Sequence, residues 1–141
     1  MNDFGKLAIK MGLLSLLCVA PLAAQIDNGV TFTTSFPFYA GNTKMPAGAY
    51  KITRTDASEA LLLVESKDGL HSGFVDFAPT HSDQPHSQSD VTFHKYGNTE
   101  YLNRVWLEGQ KYGMKIDPTK AEAKAAANAN AVEHSLVASK R

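Results

Sequence analysis

The chain has 141 residues, 43% of them hydrophobic, and its fourteen lysines and arginines equal its fourteen aspartates and glutamates. That length suits a single domain. The balanced charge excludes the strong positive field with which proteins attract nucleic acid or anionic membranes.

The first 24 residues have the pattern of an export signal. Lys6 and Lys10 precede an uncharged apolar run over residues 11–22, and an alanine pair ending at Ala24 offers a cleavage site. The run is shorter than the roughly 20 residues of a membrane span. We therefore expect an exported protein, periplasmic or extracellular, with no transmembrane segment in the mature chain. Its partner is then a cell-envelope component, another protein or a small ligand.

The single cysteine, Cys18, lies inside this signal. Removing residues 1–24 also takes two lysines and one aspartate, which leaves twelve basic residues against thirteen acidic ones. A mature chain without a thiol has no disulfide framework and no cysteine chemistry. Its fold must be held by a hydrophobic core and by backbone pairing.

Strands are predicted from residue 30 onward. Alternating apolar residues favour a first strand over residues 30–39, which Pro37 either breaks or confines to a sheet edge. Residues 45–48, Met-Pro-Ala-Gly, suit a type I turn. A second strand over residues 50–54 follows.

A hairpin and a long loop come next. Strands over residues 61–66 and 70–77 flank Asp68 and Gly69, the strongest hairpin signal in the chain. Residues 78–90 contain two prolines and no large apolar side chain, so they predict an exposed loop. Such a length is unusual for a plain connector.

Three more strands complete the pattern, over residues 91–96, 101–107 and 112–116, with turns between them. Seven or so antiparallel strands predict an all-β domain over residues 25–117, a meander that forms a small barrel or a two-sheet sandwich. The large aromatic side chains are its expected core. These are Phe32, Phe36, Phe74, Phe77, Phe93 and Trp106.

The C-terminal residues 118–141 predict a short helix followed by a disordered tail. The helix can begin at Asp117-Pro118 or at a capping box from Thr119 to Glu122. The alanines and asparagines that follow offer nothing large for docking, so the end is expected to fray.

Metal-ligand residue types cluster in the predicted loop. His81, Asp83 and His86 offer imidazole and carboxylate groups, which suit zinc or copper. His71 or His94 can supply a further ligand. The alternative is a solvated polar loop without a cofactor, because a flexible loop is a poor preformed site.

A second candidate site lies on a strand. Period-two alternation places His94 and Tyr96 on one face and Phe93 on the other. With Tyr101 and Arg104 nearby, the histidine face can bind a polar ligand or a carbohydrate through stacking and hydrogen bonds. The alternative is a cross-strand ladder that only fixes register.

Catalytic motifs are absent from the sequence: it has no GxSxG elbow, no SxxK and no phosphate-binding glycine pattern. Glu65 and Asp76 lie on the predicted hairpin and are candidates for the paired carboxylates of glycoside hydrolysis. We therefore predict an exported, non-enzymatic binding or structural module. A metal-binding protein that uses loop 78–90 is the alternative, and an envelope hydrolase is a remote one.

Two segments resemble a group of small exported bacterial proteins without an assigned activity. One is MPAGAY at residues 45–50 and the other is FHKYGNTEYL at residues 93–102. The similarity spans roughly residues 36–122. The resemblance implies an exported β-rich domain and supplies no catalytic residues.

Overall fold

The computed structural model describes residues 29–55 and 60–140. The predicted export signal at residues 1–24 lies outside the described residues. The described chain consists mainly of strands with one short helix, which confirms the all-β prediction. The elements are β1 (Val30–Thr34), β2 (Phe38–Ala40), β3 (Thr43–Met45), β4 (Gly48–Arg54), β5 (Leu61–Ser66), β6 (Ser72–His81), β7 (Asp90–Tyr96), β8 (Thr99–Trp106), β9 (Tyr112–Ile116), α1 (Lys120–Asn128), β10 (Val132–Val137) and β11 (Ser139–Lys140).

The strands follow one hydrogen-bonded path, β10-β7-β8-β9-β6-β5-β4-β1-β11, with β2 and β3 beside it. Strand β6 belongs to two layers, because residues 72–76 pair with β5 and residues 77–81 pair with β9. One layer therefore holds β1, β4 and β5, and the other holds β7 to β10. In the described chain the path does not close into a barrel, so a sandwich is the consistent alternative.

The core lies between the two layers. Phe32, Phe38, Tyr50 and Phe93 form its aromatic centre, with ring centroids 5.0–6.0 Å apart. Aliphatic side chains from both layers surround it, and Phe36 packs against it from the edge. The alternating apolar pattern predicted from residue 30 onward thus faces this core.

The prediction that Phe74 belongs to the core is wrong, because its side chain is 62% exposed. Phe74 and Phe77 are three positions apart on β6, and an odd separation places two side chains on opposite faces of a strand. Phe77 is buried, so Phe74 must point outward.

The predicted loop over residues 78–90 is shorter than expected. Strand β6 continues to His81 and pairs with β9, so the loop begins at Ser82. Residues 78–81 are largely exposed on both faces. They therefore lack the apolar alternation from which a strand is predicted.

The expectation of a disordered C-terminal tail is also wrong within the described residues. Strand β10 pairs with β7 along its whole length, and β11 pairs with β1. His134 and Leu136 are partly buried, and His134 Nδ1 lies 3.0 Å from Glu100 Oε2 of β8. The tail is ordered because the edge of β7 gives its backbone groups partners.

The helix begins where the capping box indicates. Thr119 is the N-cap, and its hydroxyl oxygen accepts a hydrogen bond from the Glu122 backbone N–H at 3.1 Å. Among the described residues, no helix is long and apolar enough to cross a membrane.

Candidate functional site

The outer face of β7 and β8 gathers an aromatic row. His94 lies opposite Tyr101 in the β7–β8 ladder. The His94 and Tyr96 rings meet edge to face at 6.2 Å, and Tyr96 lies 5.9 Å from Tyr101. Tyr39 of β2 stacks on Tyr101 at 5.3 Å. Three of the four predicted ligand residues thus come together, and Tyr39 joins them.

Helix α1 adds a buried carboxylate to this face. Glu122 is 8% exposed and is the one buried side chain of the helix. The Tyr96 hydroxyl donates to Glu122 Oε2 at 3.4 Å, and His94 Nδ1 lies 4.0 Å from the same oxygen. The sequence marked Glu122 only as a helix-capping residue, because its approach to β7 depends on tertiary structure.

Burial controls the protonation of this group. Loss of solvent raises the pKa of Glu122, and the nearby His94 and Tyr96 partly oppose that rise. Burial also raises the pKa of Tyr96, and the charge of Glu122 raises it further. The pKa of Tyr101 rises mainly because of burial. Both tyrosines are therefore neutral hydrogen-bond donors at physiological pH.

A cavity of about 240 Å³ lies between α1 and the strands β7 to β9. The strands supply most of its polar groups together with Ile116, whereas the helix supplies Glu122 and two alanines. The lining residues are His94, Tyr96, Asn103, Lys115, Ile116, Pro118, Glu122, Ala123 and Ala126. Together they offer both donors and acceptors to a bound molecule.

Comparison with protein-family models, curated proteins and solved structures found no match to this chain. The resemblance to small exported bacterial proteins therefore stays a prediction. The geometry of the described residues carries the functional argument.

Of the four predicted ligand residues, His94 and Tyr96 line the cavity, whereas Tyr101 and Arg104 do not. The β7–β8 register shifts after Thr92, so that Asn103 is an extra residue in β8, as in a β-bulge. Asn103 lines the cavity instead and donates to the Thr92 hydroxyl at 3.4 Å. Arg104 lies beside Lys115 of β9. The alternation of residues does not reveal a bulge, so the prediction grouped Arg104 with His94 and Tyr96.

The predicted metal ligands are not assembled into a site. His86 stacks on Trp106 at 4.1 Å, and its Nδ1 lies 3.6 Å from Asp90 Oδ2. His81 lies beside Tyr112 at 6.3 Å. Within residues 29–55 and 60–140, no group of three or more histidine, cysteine or acidic residues can hold a metal ion. Asp83 is exposed.

Loop 82–89 instead covers the single tryptophan. The indole of Trp106 stacks on the His86 ring and also contacts Gly113 of β9. A Cβ added at Gly113 would lie 2.5 Å from Trp106 Cε3. Trp106 is 7% exposed. It is buried, as predicted, but on the outer face of the sheet, beneath the loop.

The acids considered for hydrolysis are far apart. Asp76 pairs with Leu61, which lies four positions from Glu65 on β5. At about 3.3 Å per residue the two acids are separated by about 13 Å along the strand. Paired glycosidase carboxylates stand about 5 to 9.5 Å apart. The hairpin therefore does not place them as a catalytic pair.

Proposed function

We propose that this protein is an exported, non-enzymatic binding module whose site is the cavity between α1 and β7 to β9. The observation that carries the proposal is the convergence of Glu122, Tyr96 and His94 on one cavity, with Glu122 almost fully buried. A helix that buries a charged side chain, and no apolar one, gains little stability from that contact. A ligand-binding role accounts for the arrangement.

The ligand class follows from the lining. An apolar cavity of about 150 Å³ holds benzene, so 240 Å³ holds on the order of ten non-hydrogen atoms by the same ratio. The size is close to that of one sugar ring. Glu122 accepts hydrogen bonds, whereas Tyr96 and Lys115 donate them. The ligand is therefore a monosaccharide-sized polar molecule, neutral or carrying one amino group.

The non-enzymatic part of the proposal rests on the chemistry of the same lining. Among the described residues that line this cavity, none is a serine, threonine or cysteine. Covalent catalysis by serine, threonine or cysteine therefore has no candidate nucleophile among these lining residues.

The test is a calorimetric titration of the protein starting at Gln25 with glucose and with glucosamine. We expect a Kd in the millimolar range, with glucosamine the tighter ligand because its ammonium group faces Glu122. Tyr96→Phe should weaken binding about five- to tenfold, since one hydrogen bond between the tyrosine hydroxyl and the neutral part of the ligand is lost. Tyr112→Phe is the matched control, because Tyr112 is 68% exposed and lies outside the cavity.

Equal affinity of the two tyrosine variants would place the binding elsewhere, and absence of heat with both sugars would reject the ligand class.

Export has its own test. The mass of the protein recovered from its native host should correspond to a chain that begins at Gln25, whereas a full-length mass in the cytoplasm would contradict export.

A further inference from the structure

A second cavity, of about 260 Å³, opens between the two layers at the end where β4 and β8 finish. Both layers contribute to its wall. The lining residues are Val30, Ile52, Arg54, Leu62, Val105, Leu107, Gln110 and Met114. It shares none of them with the cavity beneath α1.

The inner wall of this cavity is apolar and fixed. Ile52 and Leu62 from one layer and Val105 from the other are at most 2% exposed. They belong to the hydrophobic core, and a packed core has little freedom to collapse into a space of this size. The cavity therefore has a preformed apolar inner wall, which suits the apolar part of a ligand.

The rim carries a single charged group among the described residues, the guanidinium of Arg54. Arg54 is exposed, its central carbon lies 5.5 Å from the centroid of the Phe77 ring, and this cation–π contact favours that position. A guanidinium has five N–H donors, so Arg54 can donate hydrogen bonds to a carboxylate in addition to its other partners. The amide of Gln110 lies on the same rim and adds a neutral donor.

We infer that this cavity binds a small organic carboxylate, with the carboxylate at Arg54 and Gln110 and the apolar body between the layers. The same scaling from benzene gives room for on the order of ten non-hydrogen atoms. Octanoate has that size. A larger acyl chain would have to leave its end in water, because the core residues close the inner wall.

The test is a calorimetric titration of the full mature chain with octanoate, octan-1-ol and octylammonium. We expect octanoate to bind with a Kd on the order of 0.1 to 1 mM. Octan-1-ol should bind at least tenfold more weakly, and octylammonium more weakly still, because Arg54 repels its charge. Equal binding of all three would overturn the role of Arg54, and no binding of octanoate would overturn the site.

Chain length tests whether the ligand is enclosed. On an open apolar surface each added methylene strengthens binding about fourfold, so dodecanoate would bind over a hundredfold more tightly than octanoate. An enclosed ligand predicts a gain below tenfold.

Co-sedimentation with phosphatidylglycerol vesicles distinguishes two ligand sources, a free carboxylic acid and the acyl chain of a membrane lipid. We expect no co-sedimentation with them, and co-sedimentation that octanoate displaces would overturn the assignment to a free acid.

Two variants locate the site. Leu107→Phe places a larger side chain at the rim and should weaken octanoate binding at least tenfold. Leu70→Phe is the matched control, because Leu70 is 78% exposed and outside the lining. Arg54→Gln should bring the affinity for octanoate down to that for octan-1-ol, with thermal denaturation confirming that the variant is folded. An unchanged affinity in Leu107→Phe would contradict the proposal even if Arg54→Gln failed to fold.

Discussion

The contact between Trp106 and Gly113 makes a quantitative prediction for Gly113→Ala. An added Cβ would lie 2.5 Å from Trp106 Cε3 and 2.9 Å from the backbone oxygen of Val105. Real Cβ atoms essentially never come so close, so the indole must move and its packing against His86 must loosen. Overpacking of this kind costs about 1 to 3 kcal/mol. We expect the upper half of that range, because one of the two obstacles is backbone.

The assay is urea denaturation followed by the emission of Trp106, the single tryptophan of the chain. Gly113→Ala should shift the native emission to the red as the indole becomes solvated. In a Trp106→Leu background, followed by circular dichroism, the same substitution should cost less by about 1 kcal/mol or more, as expected for residues in contact.

Gly97→Ala is the control for this prediction. Gly97 has a φ of +61° with no atom within 4 Å of an added Cβ. Its substitution should cost about 1 to 2 kcal/mol through backbone strain alone, equally in both backgrounds and without a change in native emission. A loss below 0.5 kcal/mol for Gly113→Ala, with unchanged emission, would refute the described packing of Trp106 on Gly113.

Three further predictions concern the core, the helix carboxylate and the C-terminal strand. Phe93→Ala should lower the free energy of unfolding by about 3 to 5 kcal/mol, and Phe74→Ala by less than about 0.5 kcal/mol; equal losses in denaturation would contradict the assigned faces. The raised pKa of Glu122 makes the folded state the better proton binder, so stability contributed by this group is present at low pH and is lost as pH rises above 4.5. Glu122→Gln should therefore gain stability relative to the parent between pH 4.5 and 7, and parallel curves would contradict that direction. Amide exchange should show protected groups along β10, whereas exchange at the rate of a free peptide would contradict its pairing with β7.

Most strands of the domain could be predicted from the sequence alone. Alternation predicted the first strand, strands expected between turn signals correspond to β4, β5, β7 and β9, and an Asp-Gly pair located the β5–β6 hairpin. Of the two alternatives at Pro37, a break or a sheet edge, the structure shows the break, because Pro37 lies between β1 and β2. Such features are local, so each is visible in a short window of residues.

The features that were missed depend on partners distant in sequence. The second half of β6 and the strand β10 lack an alternating apolar pattern, and they become strands because another strand offers them backbone hydrogen bonds. Glu122 lies 28 residues from His94 in the chain and meets it only through the docking of α1. His86 has the chemistry of a metal ligand but stacks on Trp106, which residue type alone cannot indicate.

The most direct test of the proposed function is a nuclear magnetic resonance titration of the ¹⁵N-labelled mature protein with glucosamine. The proposal predicts that the shifting amides cluster at His94, Tyr96, Asn103, Lys115 and Glu122, and that Tyr96→Phe reduces their displacement at equal ligand concentration. Shifts confined to other parts of the chain, or none up to 20-fold the expected millimolar Kd (~20 mM), would contradict a binding site beneath α1.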